Sequence, residues 1–106
     1  MADITQNTND IPELQSPFEQ LREVDADGRE WWNSRKLARV MGYGKYWNFE
    51  RVIAKAQAWA SRKGYHLGEH FLEITEMAEL GSGAVREVTS IRLSRAACLA
   101  VVMNAD

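Results

Sequence analysis

The clearest hydrophobic periodicity in the sequence lies between residues 46 and 62. Apolar residues recur there at the spacing of one face of an α-helix: Phe49, Val52, Ile53, Ala56, Trp59 and Ala60. The other side of this helix, predicted over Tyr46–Arg62, carries a basic stripe interrupted by one alanine: Arg51, Lys55, Ala58 and Arg62. Gly64 follows and is predicted to end the helix.

A shorter helix is predicted just before it, capped by Asn33 or Ser34 and ended by Gly42. Three apolar residues share one of its faces: Leu37, Val40 and Met41. Two basic residues lie one turn apart on the other face, with a third beside them: Arg35, Arg39 and Lys36. With a turn at residues 42–45, this is the layout of a helix-turn-helix unit, although many helical hairpins that bind nothing share it.

The chain before these helices is predicted to contain a flexible lead-in, a short helix and a short strand. Residues 1–16 are polar and acidic and have little to bury. Ser16 caps a helix predicted over Pro17–Val24. Three of its side chains are expected to face inward: Phe18, Leu21 and Val24. A tight turn at residues 25–28 leads to a strand over Glu30–Trp32.

A β-hairpin is predicted after the long helix. Tyr65–His70 is predicted as a loop. Phe71–Leu80 alternates like a strand in its first half, while its second half suits a helix equally well. Val85–Leu93 is also strand-like. We therefore interpret residues 71–93 as a hairpin with a glycine-rich tip, lying beside the helices as a wing.

A last helix is predicted over Arg95–Asn104, with Ser94 as its N-cap. It is apolar on every side, which is unusual for a surface helix. Either it is central to the core, or its outer face is covered, for example in a homodimer through residues 94–104. Because the chain stops directly after this helix, we expect residues 17–106 to be one domain, the amino-terminal part of a longer protein.

These elements predict an α+β fold with about four helices and a small antiparallel sheet. The 106 residues give room for one modest core. A single cysteine, Cys98, excludes an internal disulfide and suits a reducing compartment. No apolar run is long enough to span a bilayer, and the first residues do not form a secretory signal. We therefore expect a cytoplasmic protein with no membrane partner, associated with the nucleoid if it binds DNA.

Charge is segregated along the chain. Residues 29–63 hold nine of the thirteen Lys and Arg residues and all four tryptophans, but only two acidic residues, whereas the whole chain has a net charge of −2. A basic, aromatic-rich segment with acidic flanks is typical of nucleic-acid binding. The same pattern fits the solvated outer face of an ordinary pair of helices.

The candidate DNA-binding residues all lie in this segment. Seven cations are candidates for phosphate contacts, which would make affinity depend on salt: Arg35, Lys36, Arg39, Lys45, Arg51, Lys55 and Arg62. Three aromatic residues lie at the turn, where an exposed ring can stack on a base: Tyr43, Tyr46 and Trp47. Core packing is the favoured interpretation of the remaining tryptophans: Trp31, Trp32 and Trp59.

Candidates for enzyme chemistry are few. His66 and His70 are four residues apart, but Gly68 between them argues for a loop, and Cys98 lies in an apolar helix where its thiol pKa should rise. Three glutamates could form a carboxylate cluster, although a solvated charged face explains them better: Glu73, Glu76 and Glu79. Phosphate-loop and nucleophile-elbow motifs are absent. We therefore expect no catalytic activity, metal or cofactor.

Three phrases carry a family resemblance: W-x-S-R-x-L at Trp32–Leu37, M-G-Y-x-K-Y-x-N-F at Met41–Phe49 and E-L-G-S-G-A-x-R-E at Glu79–Glu87. Over residues 18–106 the chain resembles the amino-terminal region of the DNA-damage-inducible protein D family, which is similar to the Bro-N domain of phage antirepressors. The resemblance implies a bacterial or phage-derived protein of the SOS response to DNA damage. It also implies a Bro-N-like α+β domain associated with DNA binding and a partner role in recombination and repair.

The alternative to DNA binding is a protein-interaction module that binds a recombinase or another repair protein without direct DNA contact. An acidic rim would then steer the partner: Glu69, Glu73, Glu76, Glu79 and Glu87. DNA binding requires the basic groups of residues 29–63 on one continuous face, whereas partner binding tolerates their neutralisation.

Overall fold

Five helices and a four-stranded antiparallel sheet make up the part of the chain that the computed structural model describes, residues 16–79 and 81–105. The helices are α1 (Pro17–Gln20), α2 (Ser34–Val40), α3 (Tyr46–Arg62), α4 (Leu67–His70) and α5 (Arg95–Asn104). The strands are β1 (Glu23–Val24), β2 (Glu30–Asn33), β3 (Phe71–Glu79) and β4 (Val85–Leu93), in the spatial order β1-β2-β4-β3. The predicted α+β class is confirmed. The predicted lead-in, apart from Ser16, lies outside the described residues.

The long helix, the hairpin and the last helix lie where the sequence predicts them. α3 and α5 have the predicted bounds. β3 and β4 pair along their whole length, from Phe71 opposite Leu93 to Glu79 opposite Val85. The interpretation of residues 71–93 as a hairpin is therefore confirmed, and the helical alternative for the second half of β3 is wrong.

The segment between residues 17 and 24 differs from its prediction. α1 ends at Gln20, and the chain then forms β1, which pairs with the start of β2. The cause is the turn that follows, in which the backbone N–H of Asp25 donates to the carbonyl of Arg29 at 3.0 Å. Because this turn folds β1 back along β2, Val24 is 50% exposed instead of facing inward.

Two smaller differences concern α4 and α2. The predicted loop over Tyr65–His70 contains the single helical turn α4, which is too short for a hydrophobic period to show in the sequence. In α2, Val40 was expected on the apolar face with Leu37, but it is 44% exposed, and Ala38 is buried in its place.

The core is built from α2, α3 and α5 together with strands β2, β3 and β4. Its largest fully buried side chains include Trp32, Phe49, Leu37, Ile53, Leu93 and Val101. The indole Nε1 of Trp32 donates to the carbonyl of Phe18 at 2.8 Å, and the two rings stack with centroids 4.5 Å apart, so α1 is held against β2. Core packing is confirmed for Trp32, and Trp59 is partly buried and packs against the core, whereas Trp31 is partly buried but is not part of the core cluster.

Helix α5 has a buried side and an exposed side, and both are apolar. Its inner side, which includes Cys98 and Val101, belongs to the core. On its outer side, Leu99, Val102 and Met103 are 61%, 54% and 59% exposed. The helix is therefore central to the core, but the described residues do not cover its outer face. None of the described helices is long and apolar enough to cross a membrane.

A cluster of ion pairs joins α1, β2 and α5. Arg95 Nε donates to Glu30 Oε2 at 2.8 Å, and Arg95 Nη1 donates to Glu19 Oε2 at 3.0 Å. Arg22 Nε donates to the other oxygen of Glu30 at 2.7 Å. The hydrogen bonds from Arg95 and then from Arg22 lower the pKa of Glu30 to about 2.

We expect Glu30→Gln to lower the free energy of unfolding at neutral pH but not near pH 2. In the folded chain, the pKa of Glu30 lies below its ordinary value of about 4.5. The ionised Glu30 carboxylate therefore stabilises the fold fully above about pH 4.5, and this stabilisation is lost as the pH falls toward about 2. Urea unfolding at a series of pH values measures the difference. Glu50→Gln, on an exposed residue without an ion pair in the described chain, is the control and should change stability by less than about 0.5 kcal/mol. A Glu30→Gln difference that stays constant down to about pH 2 would contradict this assignment.

Candidate nucleic-acid interface

Capping fixes both ends of α2 and so sets where α3 begins. Asn33 Oδ1 accepts hydrogen bonds from the backbone N–H groups of Arg35 at 2.9 Å and Lys36 at 3.2 Å. Gly42, just past the other end, has a φ of 86°, which a side-chain-bearing residue rarely adopts. α3 then starts after Lys45, whose exposed side chain makes no cap hydrogen bond.

Five exposed residues line the outer side of α3, and we call them the α3 stripe: Trp47, Arg51, Lys55, Ala58 and Arg62. Their spacing of three to four residues keeps them on one side of the helix, opposite the buried Phe49, Ile53 and Ala56. Trp47 is 57% exposed. The three cations of the stripe form no ion pair or side-chain hydrogen bond with the described residues. Their charge and one aromatic ring are therefore free to contact a ligand.

Arg35, in contrast, is occupied within the fold. Its Nε donates to Ser90 Oγ at 2.9 Å, and its Nη2 donates to the carbonyl of Thr89 at 2.8 Å. Its guanidinium also lies 4.0 Å from the centre of the Tyr46 ring. These contacts join α2 to β4 and α3, so the structure places Arg35 as a bridge between elements and away from the α3 stripe.

The two other cations of α2 face the hairpin and β1. Lys36 Nζ lies 3.6 Å from Glu23 Oε2, whereas Arg39 is exposed and forms no ion pair in the described chain. Both line a groove of about 220 Å³ beside the hairpin, which Glu76 and Glu79 also line. The groove therefore has mixed charge, and of these two residues only Arg39 offers an unpaired cation.

The two tyrosines at the turn are partly buried. Tyr43 packs against Phe49 with ring centroids 5.1 Å apart, and the Tyr46 hydroxyl forms a hydrogen bond with that of Ser34 at 2.6 Å. Burial, only partly offset by that hydrogen bond and by Arg35, raises the pKa of Tyr46. Of the three aromatic candidates, Trp47 is the most exposed, and Tyr46 is bound within the fold.

An open cleft of about 680 Å³, which we call the corner cleft, lies where the turn meets α3. It is lined by Met41, Gly42, Tyr43, Gly44, Asn48, Arg51, Val52 and Lys55. Asn48 was not among the residues expected from the sequence. Its position three residues before Arg51 and seven before Lys55 places it on the same side of α3, and this spacing was visible in the sequence.

The three glutamates of β3 do not form a cluster. Side chains alternate along a strand, so Glu76 lies on the face opposite to Glu73 and Glu79. Glu76 accepts hydrogen bonds from Asn33 Nδ2 at 2.9 and 3.1 Å and from the Ser90 hydroxyl. Burial by itself would raise the pKa of Glu76, but these hydrogen bonds and the nearby cations outweigh it and lower the pKa. A solvated charged face therefore describes Glu73 and Glu79, and it is the wrong description of Glu76.

The candidates for metal or nucleophile chemistry are separated. His70 Nδ1 forms a hydrogen bond with Ser94 Oγ at 2.6 Å, and His66 is exposed just before α4. Cys98 is buried in α5, and this burial raises its thiol pKa to about 12. Among the described residues, no three histidine, cysteine or acidic side chains are grouped to hold a metal ion.

Comparison with known proteins identifies a relative of the chain. The chain is 38% identical over 94 residues to DNA damage-inducible protein D from Escherichia coli (strain K12). The aligned region is 89% of this chain and 34% of that protein, so the chain spans about a third of the length of the curated relative it matches. No protein-family model and no solved structure matches the chain.

Because Arg35 bridges elements and Arg51 does not, we expect stability effects of different size from the same substitution. Arg35→Gln removes two hydrogen bonds from a charged donor and should lower the free energy of unfolding by about 1–3 kcal/mol. Arg51→Gln, the matched control on the α3 stripe, should change it by less than about 0.5 kcal/mol. Urea unfolding of both variants measures this difference. Equal stability of the two variants would show that Arg35 does not hold the hairpin.

Proposed function

The similarity to DNA damage-inducible protein D supports the family of that name for this chain, and on this premise we propose that the domain binds DNA through the α3 stripe as part of the response to DNA damage. The proposed ligand contacts are phosphates at the three cations of the stripe and a base at Trp47. Lys45, which is exposed at the N-cap of α3 two residues before Trp47, is a further candidate contact, whereas Arg39 lines the groove beside the hairpin.

One observation carries the proposal, namely the unpaired state of the cations on the α3 stripe. A cation that already has an acidic partner gains little from a phosphate, because the first ion pair must be broken. Arg51, Lys55 and Arg62 have no such partner in the described chain, and they share one side of a single helix with an exposed tryptophan. This arrangement of spaced cations and one ring suits a charged, base-bearing polymer.

The finer features of the proposal come from the resemblance in the sequence. They are a Bro-N-like domain, synthesis during the SOS response of a bacterium, a role in DNA repair, and association with the nucleoid in the cytoplasm. The α+β fold and the helix-turn-helix layout of α2 and α3 are compatible with a DNA-binding domain of this kind.

We propose a binding function without catalysis. Three observations support this interpretation. Glu76 points away from Glu73 and Glu79, and the thiol of Cys98 is buried with a raised pKa. Ser94, whose hydroxyl meets His70, is the N-cap of α5 and accepts a hydrogen bond from the backbone N–H of Ala97 at 3.0 Å, so its hydroxyl already has a structural role.

The second candidate function is protein interaction through the outer face of α5. The observation that favours it is the exposed apolar ridge of Leu99, Val102 and Met103, because apolar side chains at this exposure are typical of surfaces that meet another protein. The partner would be a second copy of the chain or a recombination or repair protein. This surface is formed by a different helix from the α3 stripe, so the two functions are compatible.

Neutralising the α3 stripe should weaken DNA binding and reduce its salt dependence. We expect Arg51→Gln/Lys55→Gln/Arg62→Gln to lower the slope of log affinity against log salt concentration by about 2 to 3, because up to three phosphate contacts are lost. Fluorescence anisotropy of labelled single-stranded and duplex DNA across a salt series measures affinity and slope. The side chains of Arg51, Lys55 and Arg62 make no hydrogen bond with the described residues, so the variant should remain folded.

The control is Arg51→Lys/Lys55→Arg/Arg62→Lys, which keeps all three charges and should keep the wild-type slope. Wild-type binding that does not depend on salt, or equal binding by the neutralised variant, would contradict DNA binding at this surface. Absence of DNA binding by the wild-type chain would leave the α5 ridge as the leading functional surface.

A further inference from the structure

We propose that the corner cleft holds one unstacked nucleotide of a single-stranded DNA segment. This inference rests on the proposed DNA-binding function and adds to it the form of DNA that is bound. The corner cleft has a volume of about 680 Å³, which falls within the range of roughly 300–1,000 Å³ that small-ligand sites occupy. A base in a duplex is paired and stacked and cannot enter a side cleft without being extruded, whereas a single strand presents its bases at much lower cost.

The lining of the cleft matches the parts of a nucleotide. Arg51 and Lys55 lie one helical turn apart on one wall, and both are unpaired within the described chain. They are suited to one phosphate or to two successive phosphates of the strand. The cleft thus shares two cations with the α3 stripe, so a strand following the stripe would pass its mouth.

The other lining groups are suited to a base. Tyr43 is held in place by Phe49, with the two rings inclined at 63°, so its position is set before a ligand arrives. The side-chain amide of Asn48 makes no hydrogen bond with the described residues, and it has both donors and an acceptor to offer to a base edge. An aromatic ring and an unpaired amide beside two cations are the combination expected for an unpaired nucleotide.

The groove on the hairpin side of α2 is a weaker candidate. Of its cations, Arg35 is hydrogen-bonded and Lys36 is paired with Glu23, and the glutamates Glu76 and Glu79 also line it. A phosphate entering there would meet carboxylates of its own charge sign. Among the described residues, no acidic side chain lines the corner cleft.

Gly44 at the edge of the cleft provides a test that leaves charge unchanged. Its φ lies outside the left-handed region, and a Cβ built at this position meets no atom within 4 Å. A Cβ is therefore compatible with the fold, and because Gly44 lines the cleft, a larger side chain at this position should reduce the space in it. The same two properties hold for Gly68 in α4, which does not line the cleft.

Gly44→Leu should reduce affinity for a labelled oligothymidylate about 10-fold, as expected for the loss of one bound base, with little change in the salt slope. Affinity for duplex DNA should stay at the wild-type level. Gly68→Leu is the matched control and should bind both forms like the wild type. Thermal unfolding checks that each variant is folded. If Gly44→Leu does not fold, Asn48→Ala, which also keeps the charge, should show the same selective loss.

The outcomes separate this inference from the function on which it rests. Wild-type affinity of folded Gly44→Leu and of Asn48→Ala for oligothymidylate, together with loss of binding when the α3 stripe is neutralised, would overturn the nucleotide site and keep the DNA-binding function. Equal loss of single-stranded and duplex binding would overturn the preference for single strands. Displacement of the oligothymidylate by an equal concentration of free thymidine monophosphate would also overturn the proposed single-stranded DNA site. The cleft would then be a site for a free nucleotide.

Discussion

The position of the β3–β4 hairpin depends on buried hydrogen bonds at the first turn of α2. The Ser34 hydroxyl, which is fully buried, forms a hydrogen bond with Tyr46 and accepts one from the backbone N–H of Ile91 at 2.9 Å. Beside it, Glu76 receives hydrogen bonds from Asn33 and from the Ser90 hydroxyl. A buried polar group that loses its partner costs about 1–3 kcal/mol, so this cluster strongly favours one placement of the hairpin against the helices.

This constraint divides the basic segment into two groups with different roles. Arg35 and Tyr46 lie on the side of the hydrogen-bonded cluster and stabilise the packing of α2, α3 and β4. Arg51, Lys55 and Arg62 lie on the side of α3 that faces away from the core, where no described acid neutralises them. Some basic residues of the segment therefore stabilise the packing of the fold, while others lie exposed on one continuous side of α3. That continuity is what a DNA-binding surface requires.

The parts of the fold that the sequence predicts well are those with a hydrophobic periodicity sustained over several turns or with a clear helix-capping residue. The bounds of α3 and α5 followed from a sustained helical pattern and from Ser94. The single turn α4 is too short to produce a period. The role of Arg35 was not predictable from local pattern, because its partners Thr89 and Ser90 are more than fifty positions away in the chain. The face on which Glu76 lies depends on strand alternation, and a segment whose second half fits a helix as well as a strand does not define that face from sequence alone.

The most direct test of the account is to map the DNA contact surface by NMR. Backbone amide shifts of the isotopically labelled chain would be followed during titration with an oligothymidylate. We predict that the largest changes follow the outer side of α3 from Trp47 to Arg62 and the turn around Tyr43, while α5 is unaffected. Changes confined to α5 or to the hairpin, or no changes at all, would contradict the assignment of DNA binding to the α3 stripe.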